Sequence, residues 1–114
     1  MKKQKAHYYE EVWAVTCTIP EGRVTTYGAI ADYLALGSAR MVGWALRQSL
    51  GVGPIPAHRV VNRLGELTGR HHFPEPGLMQ ALLEAEGVEV VSDRVVRFKD
   101  LFWHPAQMDE EQSN

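Results

Sequence analysis

The chain has 114 residues, 45% of them apolar, and a net charge of −2. That length fits one packed domain. It holds no run near the roughly 18 apolar residues of a membrane span, and Lys2, Lys3 and Lys5 precede a polar segment, so no signal peptide is read. A single cysteine, Cys17, excludes an internal disulfide, and a reducing cytoplasm is the expected compartment.

Tyr8, Val12, Val15 and Ile19 recur at helical spacing and predict a first helix, ended by Pro20-Glu21-Gly22. A second helix is expected from Thr26 to Leu36, with Thr25 or Thr26 as N-cap. Gly37 supplies a turn, and Ser38 caps a third helix through about Ser49. Helix, tight turn, helix is the helix-turn-helix pattern. Gly51 to Ile55 is a loop, Val60-Val61 a short apolar segment, Asn62 to Gly69 a turn, and His71 to Pro76 an irregular loop. Leu78 to Glu86 reads as a helix closed by Gly87. Val88–Val91 and Arg94–Phe98 read as a hairpin joined at Ser92-Asp93. About 108–114 is expected to be a flexible acidic tail of the single domain 1–114.

Charge is unevenly spread. Residues 23–70 carry six arginines against Asp32 and Glu66, a balance of +4. Residues 71–114 carry three basic residues against nine acids. The positive segment therefore coincides with the helix-turn-helix, as a nucleic-acid face requires. All its cations are Arg, which pairs with phosphate in bidentate fashion and stacks on bases.

Pro56-Ala57-His58-Arg59-Val60 resembles the Pro-Cys-His-Arg-Val signature of the O6-alkylguanine-DNA alkyltransferases, with Ala57 at the alkyl-accepting Cys. Three further blocks resemble the family in the same order. Ile19 to Ala31 is similar to its lead-in to the helix-turn-helix. Ser38-Ala39-Arg40-Met41-Val42-Gly43 is similar to the start of its DNA-binding helix. Leu82-Leu83-Glu84-Ala85-Glu86-Gly87 is similar to its helix end. With 18 residues before Ile19, the chain resembles the alkyltransferase-like proteins, which lack the larger N-terminal domain. An alanine methyl has no lone pair and cannot accept an alkyl group.

The resemblance implies a mostly α fold with a small β wing, a winged helix-turn-helix. It implies non-enzymatic recognition of O6-alkylguanine in double-stranded DNA by minor-groove docking and nucleotide flipping. Alkyl transfer is not expected, and the lesion is marked for nucleotide excision repair proteins. In the DNA-binding set, Tyr27 presses on the phosphate 3′ of the target. Ala39 and Gly43 allow close approach, Arg40 fills the gap left by the extruded base, and Arg47 meets phosphate. The lesion pocket is implied to be lined by Tyr27, Ala57, Val60 and Arg70, with Arg70 facing the flipped purine. No catalytic residue, metal or organic cofactor is implied, and a cytoplasmic monomer, nucleoid-associated on DNA, is expected. His58 and Glu86 match the family's relay to its cysteine and are read as retained structure; Arg59 is read as tying loops together.

Other readings stand beside these. The molecule could be a helix-turn-helix transcription regulator, or an enzyme with another nucleophile. Cys17 lacks a local His and is expected to be a packing residue. His58, His71, His72 and His104 match no common zinc spacing.

Overall fold

The computed structural model describes residues 5–50 and 52–112. Helix α1, Lys5–Thr16, buries Tyr8, Val12 and Val15, the stripe its spacing predicts, and Ile19 continues the same core. Helix α2, Tyr27–Tyr33, is capped by Thr26, whose Oγ1 accepts the Ala29 N–H at 3.0 Å. It stops before the expected Leu36, because Ala35 takes a left-handed turn, φ 55°. Helix α3, Ala39–Ser49, turns Val42, Ala45 and Leu46 inward. Ser38 precedes it with extended backbone but makes no side-chain cap bond, contrary to expectation.

The segment after α3 returns to the lead-in of α2. A turn of 3₁₀ helix, Ala57–Arg59, leads into strand β2, Val60–Val61, which pairs in parallel with β1, Thr25–Thr26. The register sets Thr25 against Val60 and Thr26 against Val61. That pairing brings the lead-in to α2 beside the Pro-Ala-His-Arg motif, far apart in sequence.

A second 3₁₀ segment, Thr68–His72, replaces part of the expected turn and loop, and none of its residues is buried. Helix α4, Leu78–Ala85, ends at Glu86, with Gly87 at φ 86° as the left-handed cap. The hairpin is shorter than predicted: β3 is Val90–Val91 and β4 is Arg94–Val95, antiparallel. Ser92 and Asp93 both take positive φ, 51° and 60°, as a type I′ turn requires. Phe98 does not extend the strand but opens helix α5, Phe98–Leu101, whose terminal carbonyls accept from Arg23.

The acidic tail is helical as far as it is described: α6 runs Ala106–Gln112. His104 gives it reciprocal caps, its N–H donating to Gln107 Oε1 at 2.8 Å while its Nδ1 accepts the Ala106 N–H. Residues 113 and 114 of that expected tail lie outside the described residues. Cys17 corrects a second expectation: it is exposed, because the α1 stripe passes through Thr16 and Ile19 instead.

Two cores result. One unites α1, α2 and α3 around Val12, Ile30, Val42 and Trp103. The other packs α4 and the hairpin around Leu67, Met79, Leu83 and Val95. Together they make a mostly helical domain with small sheets.

Candidate nucleic-acid interface

The outward face of α3 follows from its inward one. With Val42, Ala45 and Leu46 buried, helical geometry leaves Ala39, Arg40, Gly43, Trp44 and Arg47 on the other side. Those five residues, with Tyr27, line one side of a cavity of about 400 Å³; Thr68, Gly69 and His72 form the other. The five expected DNA-binding residues, Tyr27, Ala39, Arg40, Gly43 and Arg47, are thus brought to one surface. A methyl group added to Gly43 would meet no protein atom within 4 Å, so the fold does not require glycine there; the space faces outward.

Tyr27 lies half-buried at the α2 N-terminus. Burial pushes its phenol above the ordinary value, and a hydrogen bond with Thr68 offsets part of that rise. A Cβ on Gly69 would come within 2.9 Å of Tyr27 Oη, so the 3₁₀ segment approaches the ring as closely as glycine allows.

Beneath the first cavity lies a second, of about 30 Å³. Ala57, Leu46, Leu50 and Phe73 line it and not the first. Tyr27, Gly43, Arg47, Gly69 and His72 border both spaces and mark their seam. The structure therefore sets Ala57 at the floor below Tyr27.

Two expected pocket residues are not there. Val60 is fully buried in the helical core, because β2 pairing turns it inward. Arg70 points away: its Nη1 donates to Leu67 O at 2.8 Å and its Nε lies 3.4 Å from Asp93 Oδ2. Arg70 borders a separate surface cavity with Pro74 and Asp93 instead. Trp44 and His72 were not anticipated. Trp44, 46% exposed, holds the same α3 face as Arg40 and Arg47, and its spacing from them was the available signal. His72 Nε2 lies 3.3 Å from Arg47 Nη2 across the seam.

The arginines divide by use. Arg23 caps α5, and Arg59 and Arg70 bond within the fold. Arg40, Arg47 and Arg63 remain exposed, so half of the six face solvent. The Arg59 guanidinium donates to Ile19 O and to both Glu86 oxygens. The same carboxylate lies 2.7 Å from His58 Nε2 and accepts the Gly22 N–H at 3.0 Å. Burial by itself pushes Glu86 up, but bonds from Arg59, Gly22 and His58 outweigh it and bring it to about 2. His58 and Glu86 thus stand together as expected, and Arg59 ties the Ile19–Gly22 loop to α4.

A small helix-turn-helix domain, with an outward helix of small and cationic residues beside a pocket, defines a DNA-binding protein. Residues 7–88 match the 6-O-methylguanine DNA methyltransferase, DNA binding domain, and the chain belongs to that family. Its relatives include alkyltransferase-like and base-flipping proteins. It is 34% identical over 103 residues to Alkyltransferase-like protein 1 of Schizosaccharomyces pombe, covering 86% of this chain and 95% of that protein. It is 36% identical over 107 residues to the DNA base-flipping protein of Escherichia coli, covering 91% and 79%. Its fold superposes on S. pombe Atl1 in complex with damaged DNA containing O6-carboxymethylguanine. There the TM-score is 0.77 at 31% identity, over 90% of this chain and 98% of that one.

Proposed function

We propose that this protein binds O6-alkylguanine in duplex DNA, rotates the damaged nucleotide out of the stack, and holds it without transferring the alkyl group. The observation that carries this reading is Ala57: a methyl group forms the cavity floor where the family's signature has its thiol. Alkyl transfer needs a nucleophile, and alanine offers none. His58 and Glu86, the rest of the relay, are occupied with each other and with Arg59.

The geometry supports roles for the expected residues. Ala39 and Gly43 let α3 approach the minor groove, which carries little sequence information and suits a search for damage. Flipping a base costs a few kcal/mol, and a guanidinium wedged into the gap offsets part of it. Arg40, exposed at the start of α3, is that wedge. Tyr27 presses on the phosphate 3′ of the target, and Arg47 holds a neighbouring one. With nothing transferred, the complex itself is the product. It marks the site for nucleotide excision repair proteins, acting as a monomer on the DNA of the cytoplasmic nucleoid.

Matched duplexes with O6-methylguanine or guanine test this directly. Tighter binding to the lesion is expected, with a fluorescence rise from 2-aminopurine reporting flipping. Intact protein mass after incubation should be unchanged. Equal affinity for both duplexes, or a gain of one methyl group in mass, refutes the reading.

A further inference from the structure

We propose that the surface formed by the β3–β4 hairpin and α5 docks an acidic, amphipathic segment of a partner protein, apart from the DNA-binding face. The inference goes beyond the lesion-binding reading and does not depend on it.

Residues 71–114 carry nine acids and three bases, Arg94, Arg97 and Lys99. All three bases are exposed, and all three line one surface cavity of about 490 Å³. Val96 and Phe98 line it with them, and the fold adds Leu64 from the turn that precedes η-helical Thr68–His72. Leu64 and Val96 are 46% and 50% exposed. A single exposed apolar residue is ordinary; two that share a cavity with three cations make a composite surface. Among the described residues that line it, one is acidic, Asp100. Its pair with Arg97, at 3.2 Å, is about two-thirds exposed on both sides and so is weakly held. A carboxylate from a partner can take its place.

The cavity is built before any partner arrives. The Val95 N–H donates to Gly65 O at 2.9 Å and Arg94 Nε to Leu64 O at 3.0 Å, which fastens the hairpin to the turn. A Cβ on Gly65 would lie 3.0 Å from Phe98 Cγ, so the turn rests directly on that ring. A surface already ordered costs less to bind. Strand β4 has no edge left for strand addition: it pairs with β3 on one side and meets Glu66 in a bridge on the other. Recognition then falls to side chains, with apolar anchors against Leu64, Val96 and Phe98 and carboxylates around them. Duplex DNA fits less well. Its phosphates would meet the cations and leave the apolar half unused. No residue lines both this cavity and those beside α3, and the hairpin packs on the other core.

The test uses the full chain and a labelled helical peptide with Leu and Phe one turn apart and Glu around them. Matched peptides carry Gln for Glu, or Ser for Leu and Phe. Fluorescence anisotropy titration should show the parent peptide binding roughly tenfold tighter than either, the scale of a few exposed ion pairs or one buried apolar anchor. Arg97→Glu with Lys99→Glu should weaken the parent peptide roughly tenfold. The milder Arg97→Gln with Lys99→Gln should weaken it less. Both positions are exposed, so melting temperatures should stay near wild type. Leu64→Ala should weaken the parent peptide and preserve its advantage over the Gln peptide. Protein saturated with O6-methylguanine duplex should keep its affinity for the peptide. Absence of binding, equal binding of the Glu and Gln peptides, or binding unmoved by both double variants overturns the proposal. So does displacement of the peptide by duplex, with duplex binding weakened by the double Gln variant, which assigns the patch to DNA. None of these outcomes touches the preference for O6-methylguanine over guanine, on which the lesion-binding reading stands or falls.

Discussion

Arg59 and Glu86 meet through three guanidinium–carboxylate bonds, the shortest 2.7 Å from Nη2 to Oε2. Arg59 also reaches Ile19 O, and Glu86 the Gly22 N–H, so the pair fastens the loop after α1 to the end of α4. Their side chains are only 15% and 10% exposed, so solvent screens the pair weakly. Glu86→Ala should destabilise the fold by about 3 kcal/mol, because it leaves a mostly buried guanidinium unpaired. Urea denaturation checks this, and a loss within ordinary surface variation would contradict it.

The same pair sets an acid limit. The folded-state value for Glu86, about 2, lies below its ordinary 4.5. Its contribution is therefore complete above pH 4.5 and is lost as pH falls towards 2. The full difference amounts to about 3 kcal/mol. Stability measured against pH should fall across that window in the wild type and fall less in Glu86→Gln.

Arg40→Ala should weaken binding of O6-methylguanine duplex by about 1–3 kcal/mol, the range for a good Arg contact with a base. Arg40 is exposed and makes no bond that the fold needs, so its melting temperature should stay near wild type. Unchanged affinity at matched salt would show that this guanidinium does not enter the stack.

Lesion affinity should fall with salt although the chain is acidic overall. Only Arg40, Arg47 and Arg63 of the central six arginines are exposed. The slope of log affinity against log salt should correspond to at most about three phosphates, not six, and to fewer where Arg40 enters the stack. A flat plot would remove the phosphate-binding face; a slope twice as steep would mean that Arg23, Arg59 or Arg70 leaves its internal bonds.

Phe73 should set the longest alkyl group that the pocket accepts. It is partly buried and lines the inner space with Leu50 and Ala57, whereas Val60 is sealed in the core. Affinity should hold or rise from O6-methyl to a short chain, since each buried methylene contributes up to about 0.8 kcal/mol. It should then fall. Phe73→Ala should move that optimum to a longer chain, and an unmoved optimum would place the limit elsewhere.

Much of this was readable from residue order. Caps and apolar spacing located α1, α2, α3 and α4, because each buries one face, although α2 ends at the left-handed Ala35 and not at Gly37. The outward residues of α3 followed from the same periodicity. What escaped depends on distant partners. Helix α5 is too short for periodicity, and Arg23 caps its carbonyls from across the chain. Helix α6 looked like a solvated acidic tail, yet Tyr33 donates to Asp109 at 3.3 Å. Arg70 has the expected spacing from Ala57, but spacing does not say where a side chain points. The hairpin turn offers it Asp93, and it turns there. Trp44 was not singled out, although its phase with Arg40 places it outward.

Glu86 and Arg59 also bear on which residues near the pocket are free to vary. Their bonds to Ile19 O and the Gly22 N–H hold a loop to a helix, so folding alone constrains them. Ala57 makes no side-chain bond to that pair, and its side chain can change while the loop and helix that frame it stay fastened. The framework around the inner space is thus set independently of the chemistry of the residue at its floor.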